Sequence, residues 1–198
     1  MKEVIILGGI GNGSVIADAI SHAKVNYGMD VSVIGFLNDR VEKGELIAGY
    51  PVLGKLSDYR EFPEVFFINS IYRIDGQEKR IDLFMKLKIP ESSLLTFIHP
   101  QAYVAPSARI GTGAVIMPNV SVSSEAVIGK CTLIMAGATV GHNTTIGEFC
   151  HLAAQACTGS FVKICTGCHV GLNATIRENV AMAEYSALGM GSVLLTDT

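Results

Sequence analysis

The chain has no surplus of charge. Its 198 residues carry 15 Lys and Arg against 18 Asp and Glu, a formal net charge of −3. That balance lacks the electrostatic footprint that nucleic acid or an anionic membrane calls for, so the expected partners are small molecules, with no nucleic acid among them. Long apolar runs are missing as well. The opening stretch "MKEVIILGGIGNG" stops being apolar at its glycines, too soon for the core of a signal peptide, and no segment reaches the ~18 apolar residues of a membrane span. The expected location is the cytoplasm. Five cysteines, an odd number in a chain without an export signal, argue for thiols and against a disulfide framework. Aromatic residues make up only 7%, too few for one chain to wall a deep pocket by itself.

What is present falls into two halves of different periodicity. Residues 1–97 alternate short apolar runs with amphipathic stretches. "EVIILGG", "VSVIGFL" and "EVFFINS" read as buried parallel strands, and "SVIADAISHAKVNYG" and "GQEKRIDLFMKLK" read as helices. That order predicts a small α/β domain with a parallel, Rossmann-like sheet.

Residues 98–198 repeat every six. From Val104 through Ile110, Ile116, Val122, Ile128, Ile134, Val140, Ile146, Leu152, Thr158, Ile164, Val170, Ile176 and Met182 to Leu188, the register residue is apolar with the single exception of Thr158. The fifth residue of each unit is never larger than valine, and the fourth is repeatedly Gly or Asn: Gly113, Asn119, Gly137, Asn143, Gly167, Asn173, Asn179 and Gly191. An inward aliphatic, a small neighbour and a left-handed turn in every unit is the pattern of a parallel β-helix, three six-residue faces closing a triangular coil of 18 residues.

Against that frame the segment "VGHNTTIGEFCH" stands out. His142 takes the third place of its unit and His151 the sixth, both pointing away from the prism interior. The 18-residue coil sets Ser160 beside His142 and His169 beside His151, which predicts two stacked columns lining one groove. A histidine with an ordinary pKa near 6.5 suits the removal of a proton at neutral pH. Glu148, in "IGEF", is the nearest following carboxylate that could orient such a base.

The repeat, and within it "ATVGHNTTIGEFCHLAAQACTGSFVKI", resembles the left-handed β-helix acyltransferases. Coupled to an N-terminal domain bearing "LGGIGNG", it resembles the sialic acid O-acetyltransferase family, which includes N-acetyltransferases of nucleotide-linked amino sugars. The resemblance implies a left-handed coil, acetyl-CoA as co-substrate and a homotrimer with sites between neighbours. It implies that His142 is the general base, and that His151, the main chain around Gly159 and Ser160, and His169 face the acyl group and coenzyme. Family members often carry an acidic residue after the base, where this chain has Asn143. The implied activity is N-acetylation of a nucleotide-linked amino sugar in surface glycan synthesis. O-acetylation of a sugar, or a non-catalytic nucleotide-sugar-binding protein, are the alternatives.

"GGIGNG" follows a strand and opens a helix, where backbone N–H groups meet phosphate. It does not complete the dinucleotide fingerprint, because a run anchored at Gly9 needs glycine where Ser14 stands. By resemblance Gly9, Gly11, Asn12 and Gly13, with Asn38 and Asp39 after the second strand and Asn69 after the third, hold the nucleotide sugar. "CTGC", Cys165 to Cys168, suggests a metal or redox pair, but Cys150 and Cys168 fall on the small inward place, where a thiol serves as a small apolar group. No metal is expected. A γ-type carbonic anhydrase shares the coil, yet the histidine spacing here differs from its short His-x4-His pair.

Overall fold

The structure is a computed structural model that describes every residue except Asp75. It divides into two compact units, residues 1–72 with 82–95, and residues 73–81 with 96–198.

The first unit is built on one sheet. β1 (Lys2–Leu7) pairs in parallel with β2 (Val31–Leu37) on one side and β5 (Phe66–Asn69) on the other. β2 continues to β4 (Tyr50–Gly54), also parallel, and β3 (Leu46–Ile47) closes the edge antiparallel to β4. Val4, Ile5, Ile6 and Leu7 are fully buried, as are Ile16, Ala17, Ile20 and Ala23 of helix α1 (Asn12–Tyr27), which crosses from β1 to β2. The i, i+1, i+4 apolar stripe of α1 lies on β1 and β2, whose buried apolar residues need cover on that face. The three expected strands and the first helix are present, as is the second helix, α2 (Gln77–Leu87). The β3–β4 hairpin is additional. Its two-residue turn, Ala48 at φ 49 and Gly49 at φ 80, has positive angles at both central positions, as hairpin turns of this length require, with alanine in the place usually held by Asn or Asp. Because the neighbours of β1 lie on opposite sides, its carboxyl end opens a crevice at a topological switch point.

The second unit is a left-handed parallel β-helix. Two-residue strands recur every six residues on three parallel faces. The first face carries 103–104, 121–122, 139–140, 157–158, 175–176 and 193–194. The second carries 109–110, 127–128, 145–146, 163–164 and 181–182. The third carries 97–98, 115–116, 133–134, 151–152, 169–170 and 187–188. Partners differ by 18 residues throughout, as in Ser121↔Thr139↔Cys157↔Thr175. The fourth residue of each unit from Gly113 to Gly191 is left-handed, and six of these are neither Gly nor Asn: Glu125, Cys131, Phe149, Gln155, Phe161 and Tyr185. A non-glycine residue there costs about 1 kcal/mol. A recurrent hydrogen bond offsets it: the corner N–H donates to the carbonyl of the third residue one coil back, as Asn143 to Ser124 at 3.0 Å and Phe161 to His142 at 3.0 Å.

Polar atoms inside the coil are tied by equally regular bonds. Thr132 Oγ1 donates to the Gly147 carbonyl at 2.8 Å and Thr144 Oγ1 to that of Gly159 at 2.9 Å, each 15 residues on. Cys150 Sγ donates to the Cys165 carbonyl at 3.1 Å and Cys168 Sγ to that of Ala183 at 2.9 Å, with the same offset. Thiols thus substitute for threonine hydroxyls, which gives Cys150 and the second cysteine of "CTGC", Cys168, a structural role. Thr158, the polar exception in the register, accepts the Gly141 N–H at 3.1 Å and is 2% exposed.

Where glycine takes the second place of a unit, the tight coil spacing leaves no room for a side chain. A Cβ on Gly129 would stand 2.6 Å from the Glu148 nitrogen and closer still to the Gly147 backbone, none of which can move without parting the coils. Gly129→Ala is therefore expected to destabilise the protein by about 1–3 kcal/mol, visible as a lower urea midpoint with unchanged far-ultraviolet circular dichroism; an unchanged midpoint would contradict this packing.

Candidate active site

His142 sits on the corner between the first and second faces, after the strand Thr139–Val140 and before Thr145–Ile146. Its side chain is exposed, as the third place of the repeat dictates. Its Nδ1 lies 2.9 Å from Asn143 Oδ1. An amide oxygen only accepts, so the proton of that contact belongs to Nδ1, and the neutral ring keeps its lone pair on Nε2. Asn143 meets two demands at once: it tolerates the left-handed corner at φ 55, and it fixes the tautomer of its neighbour. The structure does not bring Glu148 to His142. That carboxylate stands on the next corner, beyond the second-face strand, and Asn143 takes the orienting place instead.

The column through His142 continues to Ser124 before it and Ser160 after it. Of the main-chain groups expected to face the acyl group, the Gly159 N–H is committed, donating to the Ile176 carbonyl at 2.8 Å. Phe161, which sequence reasoning passed over, packs against the base: the two rings meet edge to face with centroids 5.2 Å apart and planes at 85°. A large aromatic residue where the repeat favours Gly or Asn was the available signal.

His151 and His169 depart from expectation. They belong to the outer column of the third face, in register with Phe97, Val115, Leu133 and Ala187, and the first three of these are fully buried. His169 is only 6% exposed. The two rings join through Nδ1 atoms 3.0 Å apart, so one donates and the other accepts. Burial, and then the proximity of His169, lower the pKa of His151 to about 3; burial also lowers that of His169. Both are neutral at pH 7. Within one chain the second-face strand Thr145–Ile146 separates them from the His142 corner. Near the same column Gln77, the first residue of α2 and itself buried, donates from Nε2 to the Phe149 carbonyl at 2.9 Å.

In the first unit the glycine loop lies at the crevice beside β1. A Cβ on Gly8 would overlap Ser70 Oγ, one on Gly9 would overlap Asn38 Nδ2, and one on Gly13 would stand 3.0 Å from Ser70 Oγ. Gly11, at φ 99, faces open space, and α1 starts at Asn12 with no side-chain cap and no acidic residue in its first turn, which leaves that terminus suited to an anion. The polar residues named for this site also serve the backbone. Asn38 donates to the Gly8 carbonyl at 2.8 Å and accepts from the N–H groups of Arg40 and Val41. Asp39 accepts the Leu56 N–H at 2.9 Å, and Asn69, 2% exposed, accepts that of Ile71 at 3.0 Å. Asn38 and Asp39 border a cavity of about 230 Å³ that also contains Arg40, Lys43 and Lys55, cations that the sequence motifs did not single out.

The family model described as "GMPPB C-terminal domain" matches residues 94–193. A UDP-N-acetylbacillosamine N-acetyltransferase of Bacillus subtilis (strain 168) is 32% identical over 120 residues, 59% of this chain; the match spans about half, 52%, of that relative's length. Among solved structures, a mutant of perosamine N-acetyltransferase from Caulobacter crescentus, in complex with CoA and GDP-perosamine, superposes with a TM-score of 0.83 at 26% identity, covering 100% of this chain and 90% of that one. The acetyltransferase domain of PglB from Neisseria gonorrhoeae, in complex with acetyl coenzyme A, gives 0.82 at 25% identity, covering 99% and 92%.

The histidine pair, half-buried at His151 and buried at His169, has a consequence for stability. The unfolded chain takes up a proton near pH 6.5 that folded His151 refuses down to about pH 3. The stabilisation from this residue is complete above pH 6.5 and drains away as the pH falls through that window. Between pH 7 and pH 5 the native protein is expected to lose about 2 kcal/mol more than His151→Phe, a side chain suited to the apolar column. Parallel denaturant titrations at the two pH values measure the difference; equal losses would contradict the buried neutral state.

Proposed function

The chain belongs to the family of the GMPPB C-terminal domain, and from that premise we propose that it is an acetyl-CoA-dependent N-acetyltransferase acting on a nucleotide-linked amino sugar. The observation that carries the reading is His142: an exposed imidazole whose Nδ1 is held by Asn143, leaving a basic Nε2 directed away from the coil. The names of the similar proteins support the acceptor class, since those compared above act on perosamine and on UDP-N-acetylbacillosamine, and CoA or acetyl coenzyme A is bound in two of the structures.

In this reading the acceptor amine attacks the thioester carbonyl while His142 Nε2 takes its proton. A C–N bond forms, the C–S bond breaks as the tetrahedral intermediate collapses, and the proton passes to the departing thiolate of coenzyme A. The intermediate gains from donors fixed before reaction, a part assigned to the Ser160 main chain with Gly159 as its framework. His151 and His169, kept neutral by burial, are assigned to the acyl and coenzyme side, where they form a wall and carry no charge. Residues 98–198 then hold acetyl-CoA. Residues 1–97 hold the nucleotide sugar, its phosphates at Gly9, Gly11, Asn12 and Gly13 and the remainder near Asn38, Asp39 and Asn69. The exposure of His142 supports a site whose second wall comes from a neighbouring copy, in a homotrimer. Five free cysteines suit a cytoplasmic setting, where acetyl-CoA is made.

Release of free thiol from acetyl-CoA, followed with UDP-, dTDP- and GDP-linked amino sugars, tests the proposal. One of them is expected to turn over, and His142→Ala to lower kcat by about 10²–10⁴ with KM values little changed; Asn143→Ala is expected to lower it less. Turnover with sugar hydroxyl acceptors alone would move the reading to O-acetylation, and none with any acceptor would leave a binding protein.

A further inference from the structure

We propose that Phe161 is a positioning residue for His142, holding the imidazole in the plane from which Nε2 meets the acceptor amine. The inference rests on the assignment of His142 as base and adds to it a residue that no similarity or motif supplies.

Three features of Phe161 point the same way. Its backbone is left-handed at φ 58, a conformation that a bulky side chain adopts at a cost and that Gly or Asn fills at eight corners of this coil. The corner hydrogen bond offsets that strain here as at other corners, but burial adds nothing to it, because the side chain is 55% exposed. The other aromatic corner residues have a packing reason for their place: Phe149 is 3% exposed, and Tyr185 lies over the bare corner at Gly167, where a Cβ would stand 2.6 Å from its ring. Phe161 is directed at a titratable side chain instead. Its ring meets that of His142 edge to face, centroids 5.2 Å apart at 85°, and its N–H donates to the His142 carbonyl at 3.0 Å. Asn143 constrains His142 at one atom, Nδ1, and thereby selects the tautomer. A single hydrogen bond leaves the ring free to pivot about it; the phenyl edge-to-face contact removes that freedom. Tautomer and ring plane are thus set by two different residues, one in the same coil and one in the next.

The test compares Phe161→Gly, Phe161→Leu and Phe161→Tyr, with His142→Ala as reference. Glycine removes both the ring and the backbone strain, so its thermal midpoint is expected to stay level or to rise by about 2–4 °C, while kcat falls about 10- to 100-fold and the KM for acetyl-CoA stays within about twofold. Leucine, which keeps bulk without an aromatic ring, is expected to share the kcat loss, and tyrosine, which keeps the ring, to recover most of it. In proton spectra the ring-current shift of the His142 carbon-bound protons is expected to disappear in the glycine and leucine variants and to persist with tyrosine. Undiminished kcat in the glycine and leucine variants, alongside a large loss in His142→Ala, would overturn this inference alone. A kcat loss in both that is matched by a drop in midpoint of more than about 4 °C would assign Phe161 to folding and also overturn it. Full turnover in His142→Ala would overturn the assignment on which it rests.

Discussion

From Cys131 to Gly191 each corner of the coil is closed by a backbone N–H on a left-handed residue that donates to the carbonyl one coil earlier, and the candidate site is a by-product of that bond. Phe161 donates to His142 as Asn143 donates to Ser124. The bond forces consecutive third-place residues into a column and sets each fourth-place residue over the one below. A base at a third place therefore finds a side chain beside it in its own coil and another in the next, without any loop devoted to the purpose. Catalytic sites on loops depend on the loop holding its shape. This one inherits its rigidity from a ladder that runs the length of the unit.

The interior obeys a related rule. A coil too narrow for more than one aliphatic residue per face has no space for water, so each polar atom within it needs a fixed partner. Hydroxyls and thiols at the fifth place find one 15 residues on, in the carbonyl of a second-place residue. The bonds form alike to glycine carbonyls, at Gly147 and Gly159, and to those of Cys165 and Ala183. Cysteine and threonine are interchangeable in this setting because both are small and both donate.

The period, the inward residues and most of the corners could be read from the sequence, since each follows from steric limits acting on one residue at a time. The β1–α1–β2 order was legible for the same reason. What escaped depends on groups far apart in the chain or on exceptions to a preference. The repeat tells which residues point outward, but it cannot tell which outer face is covered, so His151 and His169 were expected on a groove, whereas His169 is buried and His151 half-buried in a column with the buried Phe97 and Val115. Glu148 was close to His142 in sequence and a full face away in space. Phe161 and the Ala48–Gly49 turn broke residue preferences, which a pattern built on those preferences passes over. Asn143 was the instructive intermediate case, with a structural reason sufficient by itself and a chemical one superimposed on it.

The six-residue face also makes the placement of any outward group discontinuous. Removing or adding six residues upstream of an exposed side chain carries it to the next face of the prism, while 18 residues return it to its own face one rise, about 4.8 Å, along the axis. Intermediate lengths break the register of apolar residues. Evolution can therefore vary the distance between His142 and whatever precedes it in the coil only in whole steps, each a rotation by a third of a turn or a shift by one strand spacing. A site on such a coil is addressed like a position on a lattice, and its geometry is retained or lost outright, with nothing between.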